Sequence, residues 1–159
     1  MSGGVGRLPV VSVNPELVGR TFPPAPPYLV GREKVREFAR ATFATNPVHH
    51  EVDAARAAGH DDVVAPATFA VVVQEATLAQ LLADPDAGID FSRVVHGEQK
   101  FTSVRPIVAG DELTATLTVT SVKTLGGNAM VTAESTVTDA TGEHIVTATS
   151  TLVVRGDDA

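Results

Sequence analysis

The chain of 159 residues is 43% hydrophobic and 19% charged, the balance of one soluble globular domain with a substantial core, neither disordered nor membrane-spanning. A net charge of −7 with scattered Lys and Arg, six Phe, one Tyr and no Trp leaves no phosphate-binding surface and no base-stacking platform, so nucleic acid is not an expected partner. Cysteine is absent, which removes disulfides, thiolate catalysis and Cys-based zinc sites together, and no apolar run approaches the roughly 18 residues of a membrane span.

The opening MSGGVGRLPV lacks the apolar segment of a secretory signal, which makes the cytoplasm the expected location. The proline-rich run TFPPAPPYLVG, Thr21 to Gly31, excludes a helix and predicts an extended segment at a sheet edge. REKVREFARATF then places Val35, Phe38, Ala39 and Phe43 at helical spacing with charges opposite, an amphipathic helix that ends before Asn46-Pro47. VDAARAAGH predicts a short helix closed by Gly59. In APATFAVVVQEATLAQLLADPDAG, Pro66 suits the first turn of a longer helix, and Pro85 with Gly88 marks its end. Phe69 to Val73 are apolar on every side, which requires enclosure by protein, whereas Gln74, Glu75 and Gln80 are expected to face outward.

From Phe91 the period changes to two. RVVHGEQKFTSV leads to Pro106, PIVAGD supplies a turn, and three Thr-rich segments follow, separated by LGGN and ATG. Leu113, Ala115, Leu117 and Val119 alternate with threonines, so the strand has one greasy and one hydroxylated face. The turn chemistry makes the three segments consecutive antiparallel neighbours. Helices segregated from strands predict an α+β class. One apolar helix and one half-greasy antiparallel sheet resolve into a single hot-dog domain, with the sheet curled around the helix. The open sheet edge predicts dimerisation.

ATFATNPVHHEVDAARAAGH, residues 41–60, carries most of the chemistry. His49 beside Asn46-Pro47 reads either as the rim of an active site or as a solvated imidazole after a helix-terminating turn. His50, Glu51 and Asp53 read as solvated charges. His50 and His60 lack the spacing of a metal site, and Gly126-Gly127-Asn128 lacks the Lys and following helix of a phosphate loop, so neither metal nor other cofactor is expected.

Asn46, Pro47, Val48 and His49 resemble the end of the Gly-Asp-x-Asn-Pro-[Ile/Val]-His segment of the MaoC-like (R)-specific hydratase and dehydratase family. QKFTSVRPIVAGDEL resembles that family's strand-turn-strand element, with Phe101, Pro106, Gly110 and Asp111 in the usual places. VGREKVREFA, DDVVAPATFAVVV and DFSRVVHGEQKF are similar to the dehydratase N-terminal-domain-like branch, to which mycobacterial 3-hydroxyacyl-ACP dehydratase subunits A and C belong. The resemblance covers residues 16–155, leaving a flexible N-terminus at 1–15 and a tail at 156–159.

The resemblance implies reversible loss of water from an (R)-3-hydroxyacyl thioester, carried on acyl carrier protein or coenzyme A, in fatty-acid metabolism. The family's catalytic pair is an Asp and the His. Here the Asp position holds Ala44 and the Gly before it is Phe43, so only half of the site, His49 with Asn46, remains. Pro66, Ala67 and Thr68 stand where the family polarises the thioester carbonyl through backbone N–H groups, and His96 with Gly97, at a strand kink, are further substrate-facing candidates. The implied role is the acyl-chain-binding subunit of a heteromeric dehydratase, paired with a MaoC-like subunit whose dyad is intact. A homodimeric acyl-thioester-binding protein without turnover is one alternative. A hot-dog thioesterase, with Asp61 or Asp62 activating water, is another.

Overall fold

A computed structural model describes residues 12–157; the N-terminal segment expected to be flexible lies mostly outside the described residues. The proline-rich stretch runs along one sheet edge, as its composition predicts. Gly19, Phe22 and Ala25 donate to the carbonyls of Val119, Leu117 and Ala115 at 2.8, 2.9 and 2.9 Å. The short β1 (Tyr28–Leu29) then pairs with β3 (Glu112–Leu125). Only an edge segment tolerates so many residues without an N–H.

Helix α1 (Arg32–Ala41) buries Val35 and Ala39. It stops where Thr42 bonds back to the Phe38 carbonyl through its hydroxyl (2.8 Å) and Ala44 N–H reaches the Ala39 carbonyl (2.8 Å), a six-to-one loop that uses up the last carbonyls. The residue between them, Phe43, is forced to a φ of 57°. Its ring is 88% exposed instead of continuing the buried face that helical spacing predicts, because the helix has already ended.

Helix α2 (Val52–Ala57) is closed by left-handed Gly59. The longest helix, α3 (Ala70–Ala83), begins one turn after Pro66, with Pro66–Phe69 as its lead-in, and ends before a 3-10 turn at Pro85–Ala87. Phe69 is fully buried, edge-on to Phe38 with ring centroids 5.3 Å apart. Ala70, Val73, Thr77 and Leu81 face the sheet, Val71 and Val72 are half-buried, and Glu75 is exposed. Gln74 departs from expectation: it is 0% exposed and points at the sheet.

The strands β2 (Val94–Ser103), β3, β4 (Asn128–Thr138) and β5 (His144–Val154) form, with β1, one antiparallel sheet in the order β1-β3-β4-β5-β2. The Thr-rich strands β3, β4 and β5 are consecutive neighbours, whereas β2 pairs with β5 at the far edge, so the Pro106–Asp111 link crosses the fold. Bulges at Gly97, Thr120 and between Val137 and Thr138 add twist. At the first of these, a Cβ on residue 97 would lie 3.1 Å from Val153 Cγ2 and 3.3 Å from the Thr151 carbonyl, which favours glycine. The inner faces of β3, β4 and β5 bury Leu113, Ala115, Leu117, Val119, Val131, Ala133, Val137, Ala148 and Leu152. The result is an α+β hot-dog: a curled five-stranded antiparallel sheet around α3.

Candidate functional site

Asn46 and Pro47 build the turn that holds the histidines. Asn46 Oδ1 accepts from Val48 N–H at 3.1 Å, and Pro47 starts a 3-10 turn, Pro47–His49, with its ring-fixed φ. The Asn46 side chain is therefore occupied as a cap. Val48 O accepts from Val64 N–H (2.8 Å), Ala65 N–H donates to Ile107 O (2.8 Å), and Ala109 N–H donates to Val63 O (3.0 Å), so the strip Val63–Ala65 stitches the histidine turn to the crossing link.

His49 Nδ1 lies 2.6 Å from the Val64 carbonyl. A carbonyl only accepts, so Nδ1 carries the hydrogen, and Nε2 of the neutral ring is the lone-pair nitrogen. His50 Nε2 lies 2.7 Å from the carbonyl of Ala44, and its own carbonyl accepts from Arg36 Nε at 2.8 Å. Among the described residues, neither ring nitrogen pair includes a carboxylate: two backbone carbonyls orient the two imidazoles.

Val64 also lines a cavity of about 320 Å³, together with Pro66, Ala67, Ala70, Ser103, Arg105, Ile107 and Val146. Pro66 and Ala67 thus line this cavity, His49 itself does not, and Thr68 follows in the exposed lead-in to α3. The N–H groups of Ala67 and Thr68 donate to no backbone carbonyl among the described residues. Lying just before a 14-residue helix, they suit partial negative charge on a carbonyl oxygen. His96 and Gly97 do not line this cavity. They sit toward the opposite end of β2 from Ser103, and His96 Nε2 lies 3.0 Å from the Glu98 carbonyl.

The charged groups nearby hold the scaffold. Arg32 makes a forked pair with Asp62 (Nε to Oδ1 2.9 Å, Nη2 to Oδ2 2.7 Å), and the hydrogen bond from Arg32 holds the Asp62 carboxyl below its ordinary pKa. Such a carboxylate is a poor base for activating water, which weakens the thioesterase alternative. Arg105 forks onto Asp111 at 2.8 and 3.0 Å, and Asp111 also accepts from Val108 N–H at 2.9 Å, so the Asp of the crossing link is a tie rather than a catalyst. A larger recess of about 870 Å³ lies at the other end of α3, with Ser12, Leu82, Gly88 and Arg93 among its lining residues.

Sequence reasoning found the turn and the lead-in to α3 but not the Val64 carbonyl that orients His49, since a backbone acceptor leaves no mark in the residue type.

The curled antiparallel sheet around α3, with a His on an Asn-Pro turn, defines the hot-dog class of protein. The chain belongs to the family described as FAS1-like, dehydratase domain region, whose pattern matches residues 16–148, and it is a MaoC-like hot-dog. It is 75% identical to a UPF0336 protein of Clavibacter michiganensis subsp. michiganensis over 92% of this chain and 99% of that one. It is similar in structure to the HadBC (3R-hydroxyacyl-ACP dehydratase) complex of Mycobacterium tuberculosis, with TM-score 0.79 and 32% identity over 86% of this chain and 96% of that chain. A MaoC-like dehydratase matches with TM-score 0.78 and 37% identity over 89% of this chain, which spans only 43% of that longer chain. Among the described residues no helix is long and apolar enough to cross a membrane.

Proposed function

We infer that this protein is the acyl-binding subunit of a two-subunit (R)-3-hydroxyacyl-thioester dehydratase. The observation that carries this reading is the halved acid/base pair: His49 is oriented by a carbonyl, and Ala44 occupies the position of the missing carboxylate. Dehydration takes a proton from the α-carbon and gives one to the departing hydroxyl, and each positioned group contributes about 10²–10⁴-fold. His49 Nε2 can serve one transfer, but Ala44 offers nothing to hold a water or return the other proton. A partner MaoC-like subunit with an intact Asp–His pair supplies both, while the acyl group of its ACP or CoA thioester lies in the cavity beside α3 of this chain.

The open edge of the sheet supports this reading. Strand β2 pairs with β5 on one side and with no strand on the other among the described residues, and Phe91, Val95 and Val104 on or beside it are 71%, 50% and 64% exposed. A ten-residue bare edge flanked by apolar side chains invites strand pairing. The similarity to a dehydratase complex of two different subunits supports a heteromer over a homodimer.

The test is reconstitution. The purified chain is expected to hydrate crotonyl-CoA negligibly, followed by loss of enoyl absorbance, and a MaoC-like subunit carrying Gly-Asp-x-Asn-Pro-x-His is expected to co-purify with it and turn over longer enoyl thioesters. Robust hydration by the chain alone, abolished by His49→Ala, would overturn the reading.

A further inference from the structure

The interior beside α3 is not apolar throughout. Gln74 Nε2 donates to Ser150 Oγ at 2.8 Å and to the Ala148 carbonyl at 3.3 Å, and Ser150 Oγ donates to Gln99 Oε1 at 2.5 Å. One turn further along the helix, Thr77 Oγ1 meets Ser135 Oγ at 2.8 Å. Gln74, Thr77, Ser135 and Ser150 are all fully buried.

The placement of this relay relative to the cavity is specific. Ala70, Val146 and Ser103 line the cavity, and Gln74, Ser150 and Gln99 lie four residues further along the same three elements. The strand register confirms that the two levels correspond, since Ser103 faces Val146 and Gln99 faces Ser150. None of the relay residues lines the cavity. The relay therefore fills the gap between helix and sheet just where the slot would continue.

It is also unfinished. Gln74 Oε1 and Gln99 Nε2, the acceptor and donor at its two ends, are buried without a partner among the described residues. A methylene can satisfy neither, and an alkyl chain pushed past this level would displace the Gln74 amide and strand further donors and acceptors away from water.

We propose that Gln74, held by Ser150 and Gln99, is the stop of the acyl slot and restricts this protein to short and medium acyl groups. The proposal rests on the acyl-binding reading above and names the substrate class of that site. Four residues span about 6 Å along the helix and about 13 Å along the strand, room for roughly five to ten extended carbons at about 1.3 Å each, and the larger figure is the upper limit the stop allows.

The test is calorimetric binding of saturated acyl-CoA thioesters, from butyryl to hexadecanoyl and below their micelle concentrations, to the full chain. Affinity is expected to rise to hexanoyl or octanoyl and to fall at least tenfold by dodecanoyl. Gln74→Ala removes that fall, and Ser150→Ala reduces it. Should Gln74→Ala not fold, Gln99→Ala on the half-buried edge strand opens the same level and is expected to extend the accepted length. Affinity in the wild type that keeps rising to hexadecanoyl, or an unchanged length profile in a folded variant, overturns the stop and leaves the acyl-binding reading standing. No binding at any length overturns the acyl-binding reading, and the stop falls with it.

Discussion

The two edges of the sheet are treated in opposite ways. Along β3, the segment from Gly19 to Val30 donates hydrogen bonds to successive carbonyls and folds Phe22 and Ala25 into the core, so that edge is closed by the chain itself. Along β2, no strand pairs with the outer edge of the ten residues among the described residues, and Val95 and Val104 are exposed. A fold that covers one edge with a proline-rich strap and leaves the other bare has limited strand pairing to one side. The first edge is built into the fold, and the second is left open among the described residues.

That division can be broken by substitution. Phe22 is 7% exposed, with the Arg20 guanidinium 4.9 Å over its ring. Phe22→Ala is expected to cost about 3–5 kcal/mol of folding stability, read from urea unfolding, and to leave partner affinity of the folded fraction unchanged. The double change Val95→Lys and Val104→Lys is expected to do the reverse. It weakens partner binding about 100-fold, some 2.7 kcal/mol, while the unfolding free energy of the isolated chain stays within about 0.5 kcal/mol. Loss of stability there would show that β2 is part of the fold's own support.

Smaller effects sharpen the picture around the histidine turn. Phe43 is exposed and held at a φ of 57°, where glycine is unstrained. Phe43→Gly is expected to raise stability by about 1 kcal/mol, a Tm gain of about 3 °C by calorimetry. The smallest effect is one of pH. The Arg32 hydrogen bond lowers the Asp62 pKa, and the Thr141 hydroxyl together with backbone N–H groups lowers that of Asp139. A carboxyl whose folded pKa lies below its unfolded value near about 3.9 contributes stability above that value and loses it as pH falls through the folded pKa. Stability is therefore expected to be flat from about pH 7 to 5 and to decline below about pH 4, with a shallower decline in Asp62→Asn.

Much of this architecture is legible in the sequence because it depends on local chemistry. Alternation from Leu113 to Val119 needs only a half-buried sheet, the prolines before Tyr28 need only an edge, and Asn46-Pro47 caps its turn with groups two residues apart. What was not legible depends on partners remote in the chain. Gln74 looks like an outward amide on a helix, yet a serine 76 residues away and the Ala148 carbonyl draw it inside. Phe43 continues an apolar spacing, but the back-bonding of Thr42 ends the helix first. The crossing of β2 to pair with β5 likewise follows from closing the sheet, not from the PIVAGD turn itself.

In the proposed assembly β2 is the seam along which a second subunit joins and completes the acid/base pair. Amide hydrogen exchange of the chain, alone and mixed with a MaoC-like partner, measures this directly. The prediction is that peptides covering Val94–Ser103 become strongly protected on mixing, while those of the Gly19–Val30 strap, already hydrogen-bonded, change little. Protection that appears on the strap and spares β2, or complex formation with β2 unchanged, would contradict it.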